Sequence, residues 1–421
     1  MYDHSYNPST LTAVLRKGDF RWIPAALRDA FRDTTISAAV QSALSTFNAK
    51  NPIAKFHLKK KSAYKIRHLE DDLVVRKLAC NLKKIAKQDP TGRSSLVINL
   101  AHFLEEGVPY RVYRLDIRSF YESFLLPDIK ERTQSFRQLS PLSKRHLAAL
   151  LNHFAAMGGT GLPRGMAISA VLSDLMMADF DSEIFSDEAV YFYGRYVDDI
   201  VIVTNLTEDE HDFLDRIRQK LPQGLQLNTK KTSVNSLPKR PIRQKDPATE
   251  PLHKFDVDYL GYRFSIFEPL VSDKETKPEY RRLRVEIAPV KMRKIKLRIA
   301  RTLLDFHRTK DGKLLTDRIK YLTSNFNIVD RDTGKRILAG IFFGYPLLSK
   351  NAKSLTSLDQ FLRNAVLSKK GRIFTKSAAS LTPSLKRTLL AQRFSAGHTQ
   401  RRFIHFPATR ISEIQECWEH E

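Results

Sequence analysis

Two adjacent aspartates, Asp198 and Asp199, interrupt an otherwise apolar run in YVDDIVIV. Their like charges repel, so the pair is an odd choice between two strand-like segments unless something offsets it. A hairpin turn is one explanation, because Asp is common in turns. A divalent cation is the other, since it neutralises the pair and takes oxygen ligands from short carboxylates. A third acid, Asp116, lies 82 residues upstream in YRLDIRSFYES, at the end of another strand-like run. Alone, it could be a helix N-cap at a strand–helix junction. Taken together, two acidic clusters at the ends of apolar strands match the two-metal arrangement for phosphoryl transfer. There one ion activates the attacking 3′-hydroxyl and the other steadies the triphosphate and the leaving pyrophosphate.

The elements that must position these acids are legible from periodicity. RVYRLDI (111–117) alternates as a strand, with Val112, Arg114 and Asp116 on one face and Tyr113, Leu115 and Ile117 on the other. VYFYGRYV and IVIV flank a two-residue turn made by Asp198 and Asp199, which predicts a hairpin. AISAVLSDLMMADFDSEIF (167–185) predicts a long helix with Ile168, Leu172, Leu175 and Met176 on its apolar face and Asp179 late in it. A second helix is predicted over 290–306, where Met292, Ile295, Ile299, Leu303 and Phe306 recur at spacings of three and four. The same helix carries a basic stripe of Lys291, Lys294, Arg298 and Arg301. A solvated face would explain that stripe in isolation; in this chain a phosphate-tracking face explains it better.

The reason is charge. Among 421 residues, 71 Lys and Arg outnumber 46 Asp and Glu, a net +25 that points to a polyanion, with nucleic acid the leading partner. The excess is uneven: residues 281–320 hold 14 Lys or Arg against four acids, and 361–410 hold 11 against none. A further basic block covers 50–93, and the Pro-rich stretch 236–251 has the composition of an exposed loop. A hydrophobic content of 42% supports a real core and excludes a disordered chain. Two cysteines exclude a disulfide framework or a Cys-rich zinc site and fit a reducing cytoplasm. No secretory leader is read at the start, and no run approaches the roughly 20 apolar residues of a membrane span, so no membrane role is expected.

The acidic segments sit within boxes that resemble the motifs of reverse transcriptases. YVDD resembles motif C, LDIRSFYES motif A, and GLPRGMAIS (161–169) motif B. LNTKKTSV (227–234) is similar to motif D and VDYLGYRF (257–264) to the primer-grip motif E. All five stand in the family's order and cover about residues 110–265. Arg164 stands where viral members usually carry Gln, and the motif B form resembles bacterial retron and "unknown group" anti-phage enzymes.

The resemblance implies roles. Asp116 and Asp198 would hold two Mg2+ ions, with Asp199 supporting the site and the Ile117 carbonyl a further ligand. Lys65, Arg67 and Arg93 would contact nucleotide phosphates from the fingers. Tyr121 matches the aromatic gate that rejects a ribose 2′-hydroxyl, which implies dNTP substrates and a DNA product; from the residues alone it could equally pack beside Phe120 and Phe124. Gly161 and Gly165 would admit the incoming base pair close to the backbone, Pro163 would stiffen the turn, and Arg164 would contact nucleotide or template. Lys231 matches the motif D lysine that protonates pyrophosphate or neutralises its charge. Its neighbour Lys230 could exchange roles with it, and a solvated lysine pair is the plainer alternative. Tyr259, Leu260, Gly261 and Tyr262 would form the primer grip. Lys291, Lys294, Arg298 and Arg301 would track duplex phosphates without reading sequence. Lys369, Lys370 and Arg372, in a segment interleaved with Tyr345, Phe361, Phe374, Phe394, Phe403 and Phe406, would hold a structured RNA, the aromatics stacking on unpaired bases.

The expected architecture is an α+β right-hand polymerase. An N-terminal segment and fingers would occupy 1–109, and the palm 110–280, with part of the fingers near 130–165. The thumb would cover 281–345 and a small basic C-terminal extension 346–421. The expected reaction is RNA-directed DNA synthesis, copying an associated noncoding RNA in anti-phage defence. Template-independent or protein-templated synthesis by the same acids and a group II intron-like maturase remain open as alternatives; a catalytically dead RNA-binding scaffold is disfavoured because three clustered acids are retained. A second defence protein or a homo-oligomer is left open as a partner.

Overall fold

Alternating polarity in the 111–117 segment does become a strand, and the rest of the first compact unit is arranged around it. The computed structural model describes all residues except 1, 17, 59–60, 87–91, 239–251, 269–280, 331–335, 368–378 and 419–421. The chain divides into two units: Met1–Leu96 with Val108–Lys239, and Val97–Gly107 with Arg240–Glu421.

In the first unit, β1 (Ile53–Leu58) and β2 (Lys61–Ile66) form an antiparallel hairpin. A four-stranded antiparallel sheet follows, built from β3 (Tyr110–Asp116), β4 (Val190–Tyr196), β5 (Asp199–Thr204) and β6 (Ser233–Leu237) in the order β4-β5-β3-β6. Tyr113, Leu115, Ile117, Ile200 and Ile202 supply one buried face. Helices Ala167–Phe185 and Glu210–Lys220 contribute Leu172, Phe180, Ile184, Phe213 and Ile217 to the same core. On the long helix Met177 is the fully buried methionine, whereas Met176 is only partly buried, a correction of one position to the expected apolar face. The alternate residues Val112, Arg114 and Asp116 occupy the opposite face, as period-two geometry requires.

The second unit contains an antiparallel sheet of β7 (Leu252–Tyr259), β8 (Tyr262–Glu268) and β9 (Arg282–Ile287). A hairpin of β10 (Asn325–Val329) and β11 (Arg336–Gly340) and a set of helices complete it. Pro289–Thr309 is a helix whose Ile299, Leu303 and Phe306 are buried, with Met292 and Ile295 partly so. Residues beyond 345 share that core: Leu358, Leu362, Phe394, Phe406, Ile414 and Trp418 pack in one cluster with Ile299 and Leu303. The Trp418 indole N–H donates to the Arg298 carbonyl at 3.2 Å. Phe394 and Phe406 are therefore core residues and offer no face to a base; of the expected stacking aromatics Phe403 is exposed, and Phe374 lies outside the described residues. Among the described residues no helix is long and apolar enough to cross a membrane.

One buried ionisable group makes the first unit sensitive to acid. His146, on helix Pro141–Ala156, is fully buried between the Tyr6 and Phe47 rings, at centroid distances of 5.1 and 5.6 Å. Burial pushes its pKa down from 6.5 to about 4. The folded state keeps the ring neutral while the unfolded chain takes up a proton below 6.5, so stability falls as pH drops from 6.5 towards 4. Over that window the ionisation is worth on the order of 3 kcal/mol. Urea unfolding at pH 7 and at pH 4.5 should show that loss for the native chain, and His146→Leu should flatten it; an unchanged slope in the variant would assign the acid sensitivity elsewhere.

Candidate active site

β3 and β5 pair in a register that sets Asp116 directly opposite Asp199. The hairpin turn falls one residue earlier than the sequence suggests: Tyr196 pairs with Asp199, so Val197 and Asp198 make the turn and Asp199 begins β5. The physical reason is the core. Slipping the register by one would exchange Ile200 and Ile202 with Val201 and Val203, which are buried on the other face, and so disrupt the packing of both faces. Val197 has φ 61°, a left-handed conformation that a β-branched residue rarely adopts. Such strain costs about 1–3 kcal/mol and persists only where surrounding structure imposes it.

The imposing contacts are identifiable. The Ile117 N–H donates to the Asp198 carbonyl at 3.0 Å, tying the end of β3 to the turn. Arg195, buried on β4, donates to the Val197 carbonyl at 3.3 Å from below. Its guanidinium also binds Asp181 through Nε and Nη2 (2.7 and 2.6 Å) and Asp174 at 3.2 Å, both on helix Ala167–Phe185. Tyr193 donates to Asp181 as well.

Asp116 is buried, and both its carboxylate oxygens have partners. Lys231 Nζ lies 2.7 Å from Oδ1, and the Asn228 amide donates to Oδ2 at 3.0 Å. The Asn228 backbone N–H also donates to the Asp116 carbonyl at 2.7 Å. Lys231 keeps its side chain half-exposed, with one end in the site and access to solvent. Asp199 is harder to ionise than an ordinary carboxyl. Burial is the largest cause, then the Asp198 charge; Arg114 and Lys231 oppose the shift, and Asp116 adds to it. Among the described residues no three His, Cys, Asp or Glu side chains are arranged as a ready metal cage. Magnesium does not need one, because it usually takes one or two protein carboxylates and completes its shell with water and substrate phosphates. Short carboxylates on a strand end and an adjacent turn suit that demand.

Beside the acids, residues 161–166, which lead into helix Ala167–Phe185, pack on the strand-to-helix turn after β3. Gly161 has φ 68°, and a Cβ there would collide with the Tyr121 carbonyl; the Leu162 N–H donates to that carbonyl at 2.7 Å. The space at Gly161 is thus filled by protein backbone. Arg164 clamps Glu122 through two bonds of 2.8 and 3.0 Å and sets its guanidinium 5.4 Å from the Tyr121 ring centroid. The Tyr121 phenol has a raised pKa, mainly through burial and then the Asp174 charge, with a smaller contribution from Asp198. Tyr121 and Arg164 therefore stand within the field of the acids. The Pro163 carbonyl accepts from the Ser169 hydroxyl at 2.7 Å, and the Arg164 carbonyl accepts from the Tyr64 N–H at 2.8 Å, joining the loop to β2 next to Gly165.

The other expected site residues are placed on these elements. Lys65 is exposed on β2, and Arg67 is exposed with Nε donating to the Ile53 carbonyl at 3.1 Å. Arg93 begins a helix, Arg93–Glu105. Tyr259, Leu260, Gly261 and Tyr262 form the β7–β8 hairpin of the second unit, with Leu260 and Gly261 at φ 46° and 86° and both tyrosines buried. Lys291, Lys294, Arg298 and Arg301 lie on helix Pro289–Thr309, where the Arg298 guanidinium sits 5.3 Å from the Trp418 ring centroid. Lys369, Lys370 and Arg372 lie outside the described residues.

Residues 56–264 match the family described as reverse transcriptase (RNA-dependent DNA polymerase). Among solved structures, the telomerase of Candida albicans in complex with a fragment of telomeric RNA aligns at 12% identity with a TM-score of 0.29. The alignment covers 87% of this chain and 66% of that one, so the chain spans just under two thirds of its length. No curated protein sequence matches.

Sequence reasoning missed Asn228, Arg195, Asp174 and Asp181. The signal for the last three was present: a charged residue inside an apolar strand, and two acids seven apart on one helical face. Removing Arg195 would strand two carboxylates beneath the turn. Arg195→Ala is expected to cost about 1–3 kcal/mol in urea unfolding, since both carboxylates keep some access to solvent once their partner is gone. A loss under about 1 kcal/mol would show that the network does not support the hairpin.

Proposed function

We propose that this chain, whose residues 56–264 match the reverse transcriptase (RNA-dependent DNA polymerase) family, is a nucleotidyltransferase that copies an RNA template into DNA from dNTPs. The observation that carries the reading is the β3–β5 register, which sets Asp116 opposite Asp199 and next to Asp198. Like charges directly opposite on a sheet are destabilising, and a cation-dependent phosphoryl transfer explains why they are there.

Asp116 and Asp198 would hold two Mg2+ ions, with the Ile117 carbonyl as an additional oxygen donor. Bound there, the metals would supply Lewis acidity for the attacking 3′-hydroxyl and charge neutralisation for the leaving pyrophosphate. The protein's own groups do the rest. Asn228 fixes the Asp116 carboxylate through Oδ2. Lys231, already bonded to Asp116, carries positive charge to the leaving group and has a proton to give it. Tyr121, held between Phe120 and the Arg164 guanidinium, blocks a 2′-hydroxyl. Arg164 acts through Tyr121 and Glu122, so it orients the gate as well as facing the nucleotide. Lys65, Arg67 and Arg93 contact phosphates, the β7–β8 turn positions the primer end, and the basic stripe of helix Pro289–Thr309 follows the duplex. The GLPRGMAIS form of motif B supports the finer reading, a bacterial retron-like or defence-associated enzyme that copies a dedicated noncoding RNA in the cytoplasm.

Two measurements test the chemistry. Replacing Asp198 and Asp199 together by Ala should cut nucleotide incorporation by at least about 10²-fold while the far-ultraviolet circular dichroism stays native. Near-native synthesis by that variant would end the polymerase reading. Tyr121→Ala should admit ribonucleotides in a dNTP/rNTP competition while deoxynucleotide use falls less. An unchanged preference would remove Tyr121 as the gate and make Phe120 the next candidate.

A further inference from the structure

A cavity of about 760 Å3 opens on the three-stranded sheet of the second unit, lined wholly by residues of that unit. Its floor is a row across all three strands: His253 on β7 pairs with Phe267 on β8, which pairs with Arg282 on β9. Residues two apart on a strand share a face, so Arg284 stands on the same side as Arg282. The Phe267 ring is contacted by His253, edge-on at 5.2 Å between centroids, and by the Arg284 guanidinium 5.0 Å from its centroid. Lys350 and Lys353 complete the wall.

Four permanent cations therefore border one cavity. Among the described residues, none of Arg282, Arg284, Lys350 and Lys353 makes an ion pair. The one acid on β9, Glu286, is already engaged. Its oxygens accept the backbone N–H groups of Lys353 and Ser354 at 2.7 and 2.8 Å, where helix Lys353–Leu367 begins. Asp256 is likewise engaged, by His253 and Arg263. Among the described residues, no acid neutralises the charge of this cavity.

Its size and chemistry narrow the occupant. The volume is that of a site for a ligand much larger than one phosphate ion. An arginine lying on an aromatic ring presents a planar guanidinium on which a base can stack, and flanking cations suit phosphodiesters. We propose that this cavity binds a segment of single-stranded nucleic acid, with Arg282, Lys350 and Lys353 on phosphates and the Arg284–Phe267 stack under a base. The proposal goes beyond the polymerase reading, since it assigns a strand-holding site in which no bond is made or broken.

The test uses the full chain and fluorescein-labelled 20-nucleotide RNA and DNA strands of one sequence, with anisotropy read across a series of salt concentrations. A cavity variant, Arg282→Glu with Arg284→Glu and Lys350→Glu, is compared with a control of equal charge change, Lys313→Glu with Arg336→Glu and Arg387→Glu, three exposed cations of the same unit outside the cavity. The cavity variant should bind at least about tenfold more weakly and lose about 1.4 units of slope in log K against log salt, from the phosphate contacts of Arg282 and Lys350 at roughly 0.7 each. The control should lose less than about threefold, and Phe267→Ala alone should weaken binding at least about fivefold. A larger loss for RNA assigns the site to RNA; equal losses assign it to either strand. Equal weakening by cavity and control variants, or no weakening by Phe267→Ala, would overturn the proposal. If the Glu variants fail to fold, the Gln versions read the same slope with half the charge change. Primer extension is measured on the same preparations, so a failed polymerase reading and a failed strand site give different results.

Discussion

Asp116 faces Asp199 across β3 and β5, and the structure around them answers that opposition of like charge. Lys231 and Asn228 take the two oxygens of Asp116, Arg114 and Lys231 counter part of the upward shift on Asp199, and the Ile117 N–H pins the Asp198 carbonyl. None of these contacts would be required if the strands ended in apolar residues. Buried packing on both faces fixes the register, so the charges cannot relax by slipping apart: Ile200 and Ile202 would first have to exchange with Val201 and Val203. Hydrophobic burial thus holds in place an electrostatic arrangement that, alone, would separate.

The turn is the second part of the same compromise. Val197 occupies a backbone conformation better suited to glycine, and Arg195 reaches from β4 to hold its carbonyl while bridging Asp174 and Asp181. A glycine at 197 would remove the strain but also loosen the position of Asp198. A strained residue held by a half-buried ion network is a way of fixing one carboxylate in space at some cost in stability.

Much of this was readable from sequence where one periodicity dominated. Residues 111–117 alternate cleanly, and the faces that alternation predicts are those observed; the 167–185 helix ends where its pattern ends. Legibility failed where tertiary partners decide. The turn moved by one residue because two isoleucines, not two aspartates, set the register. Phe394 and Phe406 look like stacking aromatics amid arginines but are buried, because the helices that cover them lie far away in sequence. The acid-free stretch 361–410 likewise finds acids elsewhere: Arg410 pairs with Asp317, and Asp359 accepts from the Ser395 hydroxyl and two backbone N–H groups. Local counting cannot see such partners.

Residues Val97–Gly107 belong to the second unit although first-unit sequence flanks them on both sides. The Arg281 backbone N–H donates to the Glu105 carbonyl, and its guanidinium to the Glu106 carbonyl. On a ribosome adding roughly 5–20 residues per second, that short segment emerges about ten to thirty-five seconds before Arg281 does. Until then it lacks that partner. The order of synthesis thus runs against the order of assembly for these eleven residues, and a nascent chain would lack the Arg281 contacts to their carbonyls until about two thirds of the 421 residues have been made.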